Sequence, residues 1–236
     1  MNIDFRFIVT AFFEIMKALP LTLVITTVPL LIGFAIGIGT ALIRLYKVKV
    51  IYKIADFYVS FLRGTPLILH IYIVYLGLPL LFDVLAEKWG WSIRSNSIPL
   101  IVFVFVAFSL NAGAYMSEII RSGILAVNKG EIEAAYSIGM TTSQAMKRIV
   151  LPQALMISLP NLCNMFVGLL HGSSLAFSIS LMELNGKANV VASTNWKFLE
   201  SFIAAAVIYW GMTILAEKVT AILEKRLRMF IKGGVA

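Results

Sequence analysis

Few residues in this 236-residue sequence have side chains suited to catalysis. It contains two histidines, His70 and His171, and one cysteine, Cys163. A zinc site needs three or four ligands, and the pattern H-E-x-x-H is absent. The stretch Gly186-Lys187-Ala188 lacks the rest of a phosphate-binding G-x-x-x-x-G-K-[ST] loop, so we do not expect the chain to hydrolyse ATP. We therefore predict a protein that is not an enzyme and that holds no metal or cofactor of its own.

The polar segment 121–148 indicates a docking role instead. Gly130 precedes a short predicted helix with Glu131 and Glu133 in its first turn, where carboxylates favour a helix start. Gly139 ends this helix, and the hydroxyl groups of residues 141–143 can cap a second one. Two short helices outside the apolar stretches predict a surface that binds a partner.

A second set of polar residues lies along one predicted helix. Asn161, Asn164 and His171 recur with Gly168 on one face, because their spacing follows the helical repeat. Amides in lipid must be satisfied, either by solute contact or by hydrogen bonds between helices, and the sequence leaves both readings open. His171 can sense solute charge or pH, or can be a packed, hydrogen-bonded side chain. The candidates for a solute route are completed by Asn111, Ser173 and Ser174.

Composition indicates which elements carry these residues. Hydrophobic residues make up 60% of the chain and charged residues 14%, and the mean hydropathy is +0.91. A soluble domain has about a quarter charged residues, so this chain is predicted to be an all-α membrane protein. Five charge-free stretches predict five spans, at 18–43, 64–82, 95–117, 149–182 and 201–216, the last extended by two residues. The fourth is too long for one span, so we expect a helix over 151–170 followed by irregular chain over 171–181.

Lysine and arginine predict the orientation. With the N-terminus outside, thirteen of the twenty lie in the inner segments and six in the outer segments. Positive residues concentrate on the cytoplasmic side, so we predict an N-out, C-in topology. The net charge of +8 thus reports membrane orientation and not a nucleic-acid partner. The predicted divisions are a peripheral amphipathic segment over 1–17 with no removable signal peptide, a transmembrane domain over 18–228 that includes a loop over 122–148, and a cytoplasmic tail over 229–236.

Local pairs add packing predictions. Gly33 and Gly37 form a small-xxx-small pair that favours a close helix contact. Glu118 and Arg121 are three residues apart and predict a local ion pair. His70, among apolar neighbours, is read as a packing or snorkelling side chain.

The loop over 122–148 also carries a family resemblance, for which we call it the coupling loop. Glu133-Ala134-Ala135, three residues, Gly139, nine residues and then Ile149-Val150-Leu151-Pro152 resembles the EAA signature of ABC importer permeases. Residues 60–67 and 110–124 are similar to the second and third core spans of polar amino-acid permeases. The resemblance covers about residues 18–228.

This resemblance implies a type I ABC importer permease fold in a bacterial-type cell membrane. It implies that Gly130, Glu131, Glu133, Ala134, Ala135 and Gly139 couple the chain to a cytoplasmic ATPase dimer, which would bind ATP and magnesium. It further implies a second permease chain and an extracytoplasmic solute-binding protein as partners. Residues 173–211 look most like permeases for L-cystine and related sulfur amino acids. A stand-alone secondary transporter or channel for amino acids is the alternative.

Overall fold

The computed structural model describes residues 3–233, with side chains for residues 3–226. The described residues form ten α-helices joined by short turns. Their bounds are α1 Phe5–Met16, α2 Leu19–Leu45, α3 Ile51–Gly64, α4 Leu67–Trp89, α5 Leu100–Leu125, α6 Lys129–Ser137, α7 Thr142–Ala145, α8 Leu151–Gly172, α9 Leu184–Asn195 and α10 Phe198–Gly233. The predicted tail is therefore helical as far as Gly233, while residues 1, 2 and 234–236 lie outside the described residues.

Five helical units of the described chain are long and apolar enough to cross a membrane. They are Leu19–Leu45, Leu67–Trp89, Leu100–Leu125, Thr142–Ile179 and Phe198–Arg226. Each coincides with one predicted span, so the five-span prediction is confirmed. Successive spans alternate in direction, which places the ends of α2 and α5 and the start of α8 at one end of the bundle. The connection containing α9 lies at the opposite end.

The bundle is centred on α5, which packs against α2, α3, α4 and α8. The core between α2, α4 and α5 includes Ile25, Ile71 and Phe108, all fully buried. Gly33 and Gly37 face α5 so closely that a Cβ atom at Gly33 would lie 2.5 Å from the Cβ of Ala112. The predicted close packing at this glycine pair is confirmed, because only glycine leaves room for the two backbones.

A Gly33→Val substitution is therefore expected to destabilise the bundle. The added atoms meet backbone as well as side chain, so we expect a loss of about 2–3 kcal/mol in the free energy of unfolding. Gly39→Val on the same helix is the matched control, since nothing lies within 4 Å of a Cβ there. Thermal aggregation of the detergent-solubilised variants measures the difference. Equal losses in the two variants would contradict a specific contact at Gly33.

The fourth span differs from its prediction. A π-helical turn, Met146–Val150, joins α7 to α8, and 3₁₀ turns over Ser173–Ile179 follow α8. The expectation of irregular chain over 171–181 is thus wrong for most of that segment. The Ser173 hydroxyl donates to the carbonyl of Leu170 (2.6 Å), and the Ser174 hydroxyl donates to that of His171 (2.8 Å). These local bonds satisfy the small polar side chains within helical turns.

A second cluster joins the N-terminal helix to the last span. In α1, Ala11 and Ile15 are fully buried against α9 and α10. The Asp4 carboxylate caps α1 by accepting from the backbone N–H of Phe7, and it also pairs with Lys197. Residues 5–16 are therefore held on the bundle by packing and by an ion pair.

Candidate coupling surface and interior polar sites

Helix α6 has well-defined ends. The Asn128 side chain accepts from the backbone N–H of Gly130 (2.9 Å) and caps its start. At its other end, the N–H of Gly139 bonds to the carbonyl of Tyr136 and the N–H of Met140 to that of Ala135. This pair of bonds needs a left-handed residue, and Gly139 has φ +83°. Gly139 is thus the residue that turns the chain from α6 towards α7.

Helix α7 begins at a capping pair, in which one of the predicted hydroxyl caps, that of Thr141, is joined by Gln144. The Thr141 hydroxyl accepts from the backbone N–H of Gln144 (3.3 Å), while the Gln144 side chain accepts from the N–H of Thr141 (2.8 Å). This reciprocal arrangement satisfies two donors that a helix start leaves free. The direction of the chain entering the fourth span is thereby fixed.

The two short helices are anchored to the bundle by a small apolar cluster. Val127, Val150 and Ala154 form its buried part, with Ile132 and Met146 packed against them. The Gln153 side chain of α8 donates to the Glu131 carboxylate of α6. These contacts connect α6 to the start of α8.

The outer face of α6 is free to bind a partner. Glu133, Ala134 and Gly139 are exposed, as are Gly130 and Glu131, and Ile138 is 76% exposed next to them. Ala135 was expected to lie beside Ala134 on this face, but its side chain is only 2% exposed. One helical position is enough to turn it towards the bundle. Of the two alanines, only Ala134 therefore lies on the exposed face of α6.

A cluster of five charged side chains ties α3 to the end of α2 and α5. Arg44 donates to Asp56 (2.6 Å) and to Glu118 (2.5 Å), and Arg121 donates to Glu118 (2.9 Å). Arg63 lies 3.6 Å from the same Glu118 carboxylate. The Glu118–Arg121 pair predicted from the sequence is confirmed, whereas the part played by Arg44 was missed. The hydrogen bond from Arg44 also lowers the pKa of the Asp56 carboxyl.

Asn111 lies away from the other candidates for a solute route. Its side-chain amide donates to Nδ1 of His70 (3.2 Å), and Nε2 of His70 bonds to the Thr65 hydroxyl (2.6 Å). Asn111 is 6% exposed and His70 3%. Asn111 thus lies in the interior in this structure, where its amide is satisfied by His70. His70 is a packed side chain with both ring nitrogens hydrogen-bonded, which decides against snorkelling.

The remaining candidates lie on α8 and just beyond it. Asn161, Asn164 and His171 are exposed along one face of this span, as their spacing predicts. Among residues 3–226, neither asparagine side chain makes a hydrogen bond, whereas His171 bonds to the Thr213 hydroxyl (3.0 Å). Ser173 is buried and Ser174 is half-buried. The α8 face therefore has amides that require a partner from outside the described chain.

Glu183 is an interior carboxylate that our sequence reasoning did not single out. It is fully buried and accepts from the backbone N–H groups of Asn185 and Gly186 and from the Tyr209 hydroxyl. Burial raises the pKa of this carboxyl, and the three hydrogen bonds oppose that shift. Its role in the fold is to cap α9 and to join α9 to α10. An acidic residue between Met182 and Leu184 in an apolar stretch was the signal available in the sequence.

The chain is similar to known transport proteins over almost its whole length. Residues 33–229 match the family described as "binding-protein-dependent transport system inner membrane component". The L-cystine transport system permease protein TcyL of Bacillus subtilis (strain 168) is 38% identical over 210 residues, covering 89% of this chain and 85% of TcyL. The nopaline transport system permease protein NocM of Agrobacterium fabrum (strain C58 / ATCC 33970) is 35% identical over 232 residues, covering 98% and 95% of the two chains.

Solved structures give the same result for the fold. A chain in the crystal structure of an amino acid ABC transporter with histidines superposes with a TM-score of 0.82 at 32% identity. The match covers 96% of this chain and all of the other. The expected five-span permease fold is thereby confirmed.

Proposed function

The chain belongs to the family of binding-protein-dependent transport system inner membrane components, and we propose that it is the permease subunit of an ATP-driven amino-acid importer. The observation that carries this proposal is the exposed α6 surface on a five-span bundle that resembles an amino acid ABC transporter along its length. In this role the bundle forms the solute route, and α6 receives the movement of a separate ATPase.

The coupling step follows from the contacts of α6. An ATPase subunit binds the face that includes Glu133 and Ala134, and its ATP-driven closure displaces α6. The Glu131–Gln153 hydrogen bond and the apolar cluster at Val127 and Val150 pass that displacement to α8. ATP and magnesium are bound in the partner, where they supply the chemistry. Gly130 and Gly139 keep the ends of α6 in place.

The solute route is proposed to follow the exposed polar face of α8. Asn161 and Asn164 present amide groups that no part of the described chain satisfies, and His171 lies on the same face. Amide groups suit the ammonium and carboxylate groups of an amino acid, because they both donate and accept. Ser173 and Ser174 shape the end of this face through their bonds to the α8 backbone.

The assembly and location follow from the same proposal. Two permease chains, identical or different, pair in the bacterial cell membrane with two ATPase subunits on the cytoplasmic side. A solute-binding protein delivers the amino acid to the outer side. The N-out orientation rests on the distribution of lysine and arginine. The proposed solute is L-cystine or a related sulfur amino acid, which is supported by the 38% identity to an L-cystine permease protein.

Uptake into proteoliposomes tests the proposed function. The vesicles hold this chain with its ATPase and binding protein, and labelled cystine is the substrate, with unlabelled glutamine, arginine and histidine as competitors. We expect uptake that requires hydrolysable ATP, survives a protonophore and is blocked only by cystine-like solutes. ATP-dependent uptake of another amino acid would retain the mechanism and reject the solute. Uptake that ignores ATP would reject the importer and favour a stand-alone secondary transporter.

A further inference from the structure

An apolar groove runs along the outside of the bundle between α2, α5 and α8. Its volume is about 560 Å³, within the range of small-molecule sites. The lining side chains include Ile38 and Leu42 of α2, Ile120 and Ile124 of α5, and Leu151 and Leu155 of α8.

The lining of the groove suits a hydrocarbon chain. Leu42, Leu151 and Leu155 are each more than 40% exposed although they belong to membrane spans. The hydroxyl of Ser158, one of the few polar groups in the lining, is already bonded to the carbonyl of Ile119. The groove thus offers an acyl chain an apolar surface on which the Ser158 hydroxyl is already satisfied.

One end of the groove lies at the end of the bundle that carries the coupling loop, and basic residues adjoin that end in the sequence. Tyr46 and Met146 line it from two different helices, and each is followed directly by a lysine, Lys47 and Lys147. Arg148 comes next in the chain. All three cations are exposed, and none forms an ion pair among residues 3–226. An apolar groove whose end is adjoined in the sequence by unpaired cations of two different segments has the charge pattern that attracts an anionic headgroup.

We propose that this groove is a binding site for an anionic phospholipid. One acyl chain lies along α8 between α2 and α5, and the phosphate is bound by Lys47 and Lys147, with Arg148 nearby. The cations select an anionic lipid over a zwitterionic one, because a net negative headgroup is needed to balance them. Bound lipid would bridge the start of α8 and the end of α2, next to the anchor of the coupling loop. This site is separate from the polar face of α8 and from the outer face of α6.

Photolabelling with a defined lipid tests the site. The membrane assembly, purified through a tag on this chain, is placed in phosphatidylcholine nanodiscs that contain phosphatidylglycerol with a photoreactive acyl chain. We expect labelling of the α8 segment around Leu155, displaced by unlabelled phosphatidylglycerol and not by extra phosphatidylcholine. The double substitution Lys47→Gln/Lys147→Gln removes two cations. We expect it to raise the concentration of unlabelled phosphatidylglycerol needed to displace the label by about twentyfold to thirtyfold.

Two further variants separate a specific site from general effects. Lys88→Gln/Lys187→Gln removes the same number of charges at the opposite end of the bundle, so labelling should not change. Leu155→Trp fills the groove without altering charge and should reduce labelling by the photoreactive phosphatidylglycerol. Equal labelling by a photoreactive phosphatidylcholine would overturn the proposal in favour of ordinary boundary lipid. If the groove takes up no lipid label and two copies of the chain cross-link through it, the proposal is overturned in favour of a contact between subunits.

Discussion

A Gly139→Trp substitution is expected to abolish ATP-driven uptake while the protein still reaches the membrane. Gly139 has φ +83°, and its N–H takes part in the pair of bonds that ends α6. A side chain in this conformation costs about 1–2 kcal/mol, so the turn relaxes and α6 loses its position against α8. Nothing lies within 4 Å of a Cβ at this residue, and the effect is therefore one of backbone conformation and not of a core clash.

The measurement combines uptake, the amount of protein in the membrane and co-purification of the ATPase. Gly139→Asn is the matched control, because asparagine adopts left-handed backbone far more readily, and it should keep most of the uptake.

Glu133→Arg tests the same surface without touching the turn, since Glu133 is exposed and its charge reversal repels a cationic partner. Glu87→Arg at the opposite end controls for added charge. Normal uptake by both Gly139→Trp and Glu133→Arg would reject the assignment of α6 as the coupling helix.

A Glu118→Gln substitution is expected to have the largest effect on stability. The Glu118 carboxylate is shared by Arg44, Arg121 and Arg63, and its side chain is only 17% exposed. Removing it leaves three guanidinium groups near the membrane with one remaining carboxylate, that of Asp56. Breaking a buried ion pair by removing one partner costs 3–5 kcal/mol, and the partial exposure here favours the lower end, about 3 kcal/mol.

Unfolding in mixed micelles measures this change in free energy. Glu87→Gln is the control, because Glu87 is exposed and lies at the opposite end of α4. The double variant Arg44→Gln/Glu118→Gln should lose less than the sum of the two single variants, since the uncompensated charges are then fewer. Additive losses, or a change in Glu118→Gln no larger than in the control, would show that the cluster is not an integrated network.

Features that depend on short-range spacing were predicted well from the sequence. Five spans follow from charge-free stretches of the required length, and the cap of α7 at Thr141 follows from the hydroxyl residues at 141–143. The contact of Gly33 with α5 and the ion pair of Glu118 with Arg121 follow from helical periodicity. In each case either the interacting groups lie on one helix, or the spacing of residue types along one helix is itself the signal.

Features that depend on distant residues were not accessible in the same way. Arg44 meets Glu118 across 74 residues of sequence, and Asn111 meets His70 across 41. No periodicity connects such pairs, because their distance is set by how the spans pack. The fold was thus largely predictable, whereas in the candidate site the inward turn of Ala135 and the interior position of Asn111 required coordinates. The short helix α9, rich in asparagine and small residues, was also missed, although its Glu183 cap is a local contact.

The π-helical turn Met146–Val150 has a consequence for how the two functional faces are set relative to each other. Such a turn holds one residue more than an α-helical turn, and each residue of a helix accounts for about 100° of rotation about its axis. Everything before the turn is therefore rotated by roughly a quarter of a circle from where an unbroken helix would place it. The angle between α7 and the polar face of α8 is consequently set by a count of residues, and this rotation is insensitive to most side-chain changes within the turn.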